Sequence, residues 1–203
     1  MVINYWKLNE ITKHDFYPLP NLCIKLEKLS KHRLFSKFNV CVGYNNIWIK
    51  EEDQYKAAFK TLVGTFIPTV MTFGFYNAPS IFQRAMNWDL EPLKQQYPDN
   101  FANYMDNVAI GTDNTLKGQI LHEEIVHKFL SILENHFYFL KASKCAFEKK
   151  EIKFLGFLIK EETIWVDPFK IGGILNWPQT LHSMKEVRQI IEEGYQIWMD
   201  REM

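Results

Sequence analysis

Asp106 and Asn107 stand between two short runs, Phe101-Ala102-Asn103-Tyr104 and Val108-Ala109-Ile110-Gly111. Aromatic and apolar residues on both sides of an acidic-amide pair fit two strands joined by a tight turn, with Asp106-Asn107 as that turn. A carboxylate displayed at a hairpin tip is a hard, anionic oxygen donor. Taken alone, the stretch reads first as an ordinary hairpin whose turn is acidic and amide.

The remaining residues supply no rival metal or thiol chemistry. Cys23, Cys41 and Cys145 are odd in number, widely spaced and outside any Cys-x-x-Cys pattern, so they read as reduced thiols. His122 and His127 are five apart on an expected helix, which keeps them off a common ligand face. The chain has 203 residues, 47% hydrophobic and 15% aromatic, enough to bury a core and too apolar for disorder. Formal charge is zero, which is no general advertisement for nucleic acid. Local basic runs remain, at Lys25, Lys28, Lys31, Arg33 and Lys37, and again at Lys141, Lys144, Lys149, Lys150 and Lys153. With no apolar run of about 18 residues and no signal-peptide pattern, an intracellular protein without a membrane partner is expected.

The elements that must position the pair can be taken in order. Met1 to Asn9 reads as a short strand entering a turn, and Tyr17-Pro18-Leu19-Pro20 as an extended segment. Leu22, Leu26 and Leu29 recur at helical spacing. Leu34 to Val40 predicts a strand, and Ile47 to Lys50 alternates weakly. Tyr55 to Phe59 and Thr65 to Val70 predict a hairpin turning near Gly64. Pro79 opens a helix with Ile81, Phe82, Ala85 and Met86 along one side. From Ile120 to Leu133 a long apolar stripe predicts a helix whose His122, Glu123, Glu124 and Lys128 face water. Phe154 to Ile159 reads as one buried strand, which Glu161-Glu162 turns into Ile164-Trp165-Val166. A short helix is expected over Lys170 to Leu175, and a charged helical tail from Lys185. The pattern favours an α+β domain, a mostly antiparallel sheet covered by helices on one face.

Set in that order, several motifs carry a resemblance. Tyr104-Met105-Asp106-Asn107 is similar to the Tyr-x-Asp-Asp metal motif of reverse transcriptases. Phe35-Ser36-Lys37-Phe38-Asn39-Val40-Cys41-Val42-Gly43-Tyr44 resembles Phe-Ser-Lys-Leu-Asp-Leu-x-x-Gly-Tyr, and Phe73-Gly74-Phe75-Tyr76-Asn77-Ala78-Pro79 resembles Phe-Gly-Leu-x-Asn-Ala-Pro. Tyr17-Pro18-Leu19-Pro20, Phe147, Phe154-Leu155-Gly156 and Asn176-Trp177-Pro178 follow at family spacing. Together they resemble the gypsy-type long-terminal-repeat retrotransposon reverse transcriptases over nearly the whole chain, Val2 to Arg188.

The resemblance implies a right-hand polymerase fingers–palm fold, with 1–159 an N-terminally truncated domain and 160–203 the end of the primer-grip hairpin and a remnant of thumb and connection. It implies two-metal nucleotidyl transfer with Mg2+ or Mn2+, on an RNA/DNA primer–template and a deoxynucleoside triphosphate. Tyr44, Phe73, Gly74 and Asn77 match nucleotide-binding positions, and Phe154, Leu155 and Gly156 the primer grip. Four positions depart from the pattern. Asn39 and Asn107 stand where two of the three catalytic aspartates belong, and only Asp106 remains. An amide keeps shape and one carbonyl but loses the charge. Trp6 replaces an Arg that touches the triphosphate, and Asn103 enters a normally apolar strand. A catalytically dead copy is expected, or else a non-catalytic module binding nucleic acid or protein on the retained fold.

Overall fold

The computed structural model describes residues 3–41 and 43–168. Helix α1 spans Trp6–Ile11 and α2 Leu22–Ser30, followed by strand β1, Leu34–Asn39. A short α3, Glu51–Gln54, precedes the hairpin of β2, Phe59–Thr61, and β3, Gly64–Phe66. Helices α4, Ala78–Asp89, and α5, Glu91–Gln96, lead into β4, Phe101–Tyr104, and β5, Asn107–Thr112. Helix α6 covers Leu116–Asn135, and four strands close the described chain: β6, Ala146–Lys149; β7, Glu151–Phe154; β8, Phe157–Lys160; and β9, Thr163–Val166.

The central sheet is antiparallel in the order β4-β5-β1-β6. Because strand side chains alternate between faces, β1 sends Ser36 and Phe38 one way and Phe35, Lys37 and Asn39 the other. On the first face Phe38, Val108, Ile110 and Phe101 meet Phe82 and Met86 of α4 and Ile125, Phe129 and Leu133 of α6. The Phe38 and Phe129 rings lie 4.9 Å apart. On the second face Phe35, Ala102 and Ala109 pack under Leu22, Leu26 and Leu29 of α2 and under Ile152, Phe154 and Ile159. Helices thus cover the expected face, while α2 and a three-stranded sheet, β7-β8-β9, cover part of the other.

Several elements depart from the sequence expectation. The start is helix α1 rather than a strand; Asn4 Oδ1 accepts from Trp6 N and steers the chain into the turn. Tyr55–Ala57 is a 3-10 turn, so the β2–β3 hairpin is shorter than its apolar pattern suggested. Ile47 to Lys50 forms no strand, only a single bridge from Trp48 to Val70. Phe154 to Ile159 is not one strand, because Leu155 (φ 51°) and Gly156 (φ 83°) turn the chain between β7 and β8. Positive φ at both central residues is the type I′ pattern that matches strand twist. The helices expected over Lys170 to Leu175 and from Lys185 lie outside the described residues. Among the described residues no helix is long and apolar enough to cross a membrane.

Asn103 is buried, and its Nδ2 donates to Asn87 Oδ1 in α4 at 3.0 Å, so the polar residue in this strand is satisfied. His122 departs furthest from expectation. It is 1% exposed, whereas Ile120 in the apolar stripe is 67% exposed. His122 Nε2 lies 2.7 Å from Ser36 Oγ and its Nδ1 3.0 Å from Thr112 Oγ1, tying α6 to β1 and β5. Ser36 Oγ also accepts from Glu148 N of β6. Burial, with a smaller push from the His32 charge, lowers His122 from 6.5 to about 4. Between those values the unfolded chain takes up a proton that the folded chain refuses, so stability falls as pH falls. The contribution is whole above about pH 6.5 and is lost by about pH 4, a change of about 3 kcal/mol. Urea titrations at stepped pH should show this decline, and His122→Leu should flatten that part of the profile.

Candidate functional site

The register of β4 against β5 pairs Tyr104 with Asn107, so Met105 and Asp106 form the turn and Asn107 begins β5. The turn therefore sits one residue earlier than Asp106-Asn107. Inward packing of Phe101 opposite Ile110 and of buried Asn103 opposite Val108 fixes that register, and the tip follows from it. Met105 takes φ 51°, and its backbone N–H donates to Oε1 of the buried Gln83 in α4 at 2.6 Å. Asp106 O accepts from Val40 N at 2.8 Å, which joins the tip to the end of β1.

The β1–β5 register sets Asn39 opposite Asn107. Asn39 Nδ2 donates to Asp106 Oδ2 at 2.7 Å and to Asn107 Oδ1 at 3.2 Å. Asn107 Nδ2 donates to Asp106 Oδ1 at 2.9 Å. The three residues expected at the catalytic positions therefore do converge. They close on one another: each oxygen of the single carboxylate accepts from an amide. Among the described residues no group of three His, Cys, Asp or Glu side chains could hold a metal ion. A pair of divalent ions needs several anionic oxygens, and this donor set does not fit one.

Beside Asp106 opens a cavity of about 280 Å³, lined also by Tyr44, Phe73, Phe82, Lys141 and Lys144. The Tyr44 ring stands edge-on to Phe73 at 5.0 Å and to Phe82 at 5.7 Å. Burial, then the charge of Asp106, raises the Tyr44 phenol, which keeps its proton and remains a donor. Gly43 is required by close approach: a Cβ there would lie 2.5 Å from Phe82 Cζ.

Gly74 and Asn77 are placed elsewhere. Gly74 (φ 108°) accepts from Asn9 Nδ2 at 2.8 Å, and a Cβ on it would meet Ile3 O at 2.7 Å. Asn77 Oδ1 accepts from Asp15 N, and its Nδ2 donates to Lys13 O. Both hold the N-terminal segment to the loop before α4. Trp6 is exposed and borders a separate cleft with Gly74 and Tyr76. Phe154 is core, while Leu155 and Gly156 form the β7–β8 turn; Gly156 O accepts from Asp167 N at 2.9 Å. Lys37 Nζ reaches Lys153 O at 2.8 Å and joins that hairpin to β1. Sequence reasoning gave Gln83 no role. Its signals were its place at the end of the family-like loop and helix segment and a polar side chain among the apolar positions of α4.

This geometry can be set beside known proteins. A family model described as reverse transcriptase (RNA-dependent DNA polymerase) matches residues 1–159. The retrovirus-related Pol polyprotein from transposon 297 of Drosophila melanogaster is 34% identical over 191 residues, 94% of this chain and 17% of that protein. The transposon Tf2-7 polyprotein of Schizosaccharomyces pombe is 31% identical over 191 residues, 94% of this chain and 14% of that protein. Among solved structures, the foamy viral protease-reverse transcriptase in complex with RNA/DNA hybrid superposes with a TM-score of 0.80 at 22% identity, covering 95% of this chain and 25% of that one. The same protein in complex with dsDNA gives 0.77 at 22% identity, covering 96% and 39%. The chain belongs to the reverse transcriptase family and is a retrotransposon member of it, with the α+β fingers–palm fold of those polymerases. It spans less than a fifth of the length of the polyproteins it matches.

Gly43→Ala should cost about 1–3 kcal/mol through overpacking against Phe82. Denaturant midpoints of the two proteins would show it, and an unchanged midpoint would mean that the Phe82 ring yields freely.

Proposed function

We propose that this chain is the fingers–palm part of a gypsy-type reverse transcriptase whose nucleotidyl transfer is silenced at the metal site, making it a pseudoenzyme. The carrying observation is the closed arrangement of Asn39, Asp106 and Asn107, where amide N–H groups occupy both carboxylate oxygens. In the ancestral reaction magnesium or manganese ions would activate the primer 3′-hydroxyl and neutralise the triphosphate. Losing one electrostatic contact to a transition state costs about 10²–10³ in rate, and here two anionic ligands are amides. Asn keeps each residue's shape, so the strands that display them remain paired.

The lysines beside the site support a second reading, retained binding of a primer–template and deoxynucleoside triphosphate without chemistry. Lys141 and Lys144 border the cavity, and Lys37 and Lys153 lie on the adjoining strands. The foamy viral relatives solved with RNA/DNA hybrid and with dsDNA add weight to it. The division expected after residue 159 cuts through β8, whose partner β9 continues the same sheet.

Primer extension on an RNA template, with magnesium and then manganese, tests the silenced site. The chain should not extend, and Asn39→Asp/Asn107→Asp should gain at least about 10²–10³ in rate. Extension by the unaltered chain with magnesium would sink the proposal.

A further inference from the structure

Helices α2 and α5 bring two lysines into each other's field, Lys25 and Lys94, both partly buried. Among the described residues neither forms an ion pair with a carboxylate, and Lys25 Nζ has no hydrogen-bond partner. Their neighbour Lys28 is matched, its Nζ lying 2.9 Å from Asp99 Oδ1. Neither Lys25 nor Lys94 lines the cavity beside Asp106.

Lys94 has only neutral acceptors. Its Nζ donates to Asn87 Oδ1 in α4 at 2.5 Å and lies 3.4 Å from Asn87 O. The same Oδ1 also accepts from Gln83 Nε2 and from Asn103 Nδ2, each at 3.0 Å. A carbonyl oxygen has two lone pairs, so three donors overfill it. Asn87 Nδ2 is held separately, donating to Tyr17 Oη at 2.7 Å. The Lys94 amine can therefore leave its acceptor without orphaning a buried polar atom.

Its surroundings also favour the uncharged amine. Burial, then the Lys25 charge, lowers Lys94 to about 8, against a smaller opposite pull from Glu91 in its own helix. Burial, then the Lys28 charge, lowers Lys25 as well. An amine of this kind is a nucleophile near neutral pH. A reagent that made it an anion would set that anion beside the cation that lacks one. An acyl group would only neutralise Lys94 and leave Lys25 unmatched. Carbon dioxide is small enough for a partly buried amine, has no leaving group and gives an anionic product. The Lys94 Nζ lone pair forms an N–C bond to its carbon, one C=O π pair becomes a carboxylate lone pair, and an N–H proton passes to water. The side chain then carries −1, and with Lys25 the pair sums to zero. We propose that Lys94 is a carbamylation site for carbon dioxide, with Lys25 as the cation that holds the carbamate.

The test is carbon NMR of the full chain equilibrated with isotopically labelled bicarbonate near pH 8. The adduct is then ethylated with a trialkyloxonium salt and located by peptide mass spectrometry. A carbamate should form at Lys94, and it should be lost as pH falls below about 8, where the amine takes up a proton. Lys94→Gln should abolish it. Lys25→Gln should weaken carbon dioxide binding about tenfold, and Lys25→Arg should keep most of it. Circular dichroism melts establish that each variant is folded; should Lys94→Gln not fold, Lys94→Arg, which keeps the charge, takes its place. Label confined to the N-terminal amine, spread evenly over exposed lysines such as Lys7 and Lys60, or unmoved by Lys25→Gln overturns the proposal.

Discussion

The antiparallel pairing of β1 with β5 is the constraint on which the rest depends. It runs from Leu34 opposite Thr112 to Asn39 opposite Asn107, and every side chain of consequence takes its direction from it. One face receives Ser36, Phe38, Val108 and Thr112, which the long helix covers with Phe129 and His122. The other receives Phe35 and Ala109 for a second small core, then Asn39 and Asn107 at the open end. A slip of one residue would exchange the faces, sending Phe38 toward the core that fits Phe35 and turning Asn39 away from Asp106. Two hydrophobic cores therefore guard a single register, and the site inherits its geometry from them.

Within that frame the two asparagines satisfy the one carboxylate between them. Three carboxylates crowded at a hairpin tip repel one another until cations arrive. One carboxylate between two amides has no such strain, and the bonds of 2.7 and 2.9 Å satisfy it within the protein. Relief of a strained active site commonly stabilises a fold at the expense of its activity. The same logic explains Tyr44: near a lone carboxylate and partly buried, its phenol resists ionisation.

Much of this was legible in the sequence, for physical reasons that also show where reading stopped. Strand alternation and apolar stripes announced the central hairpin, α2, α4 and α6, because hydrophobic periodicity mirrors burial. The turn was misplaced by one residue because Asp106-Asn107 is locally a better turn pair than Met105-Asp106, and distant packing overrode local preference. His122 looked solvated because a polar residue within an amphipathic pattern is usually outside. Its partners, Ser36 and Thr112, come from segments 86 and 10 residues away. Gly156 inside an apolar run concealed a hairpin that the left-handed backbone of Leu155 completes. Gly74 and Asn77 carried family signals, yet their contacts run to Ile3, Asn9, Lys13 and Asp15, which no local pattern could have told.

The bond from Met105 N to Gln83 has a bearing on how such a chain ages. Gln83 holds the hairpin tip by its main chain, and Val40 N likewise holds Asp106 by its carbonyl. Neither grip reads the side chains at 105, 106 or 107. Mutational drift at the tip therefore leaves the anchorage untouched: inherited changes can erase the chemistry of these positions while the scaffold persists. The scaffold and the chemistry of the tip are thus open to separate inheritance, the one held by main-chain bonds and the other by side chains.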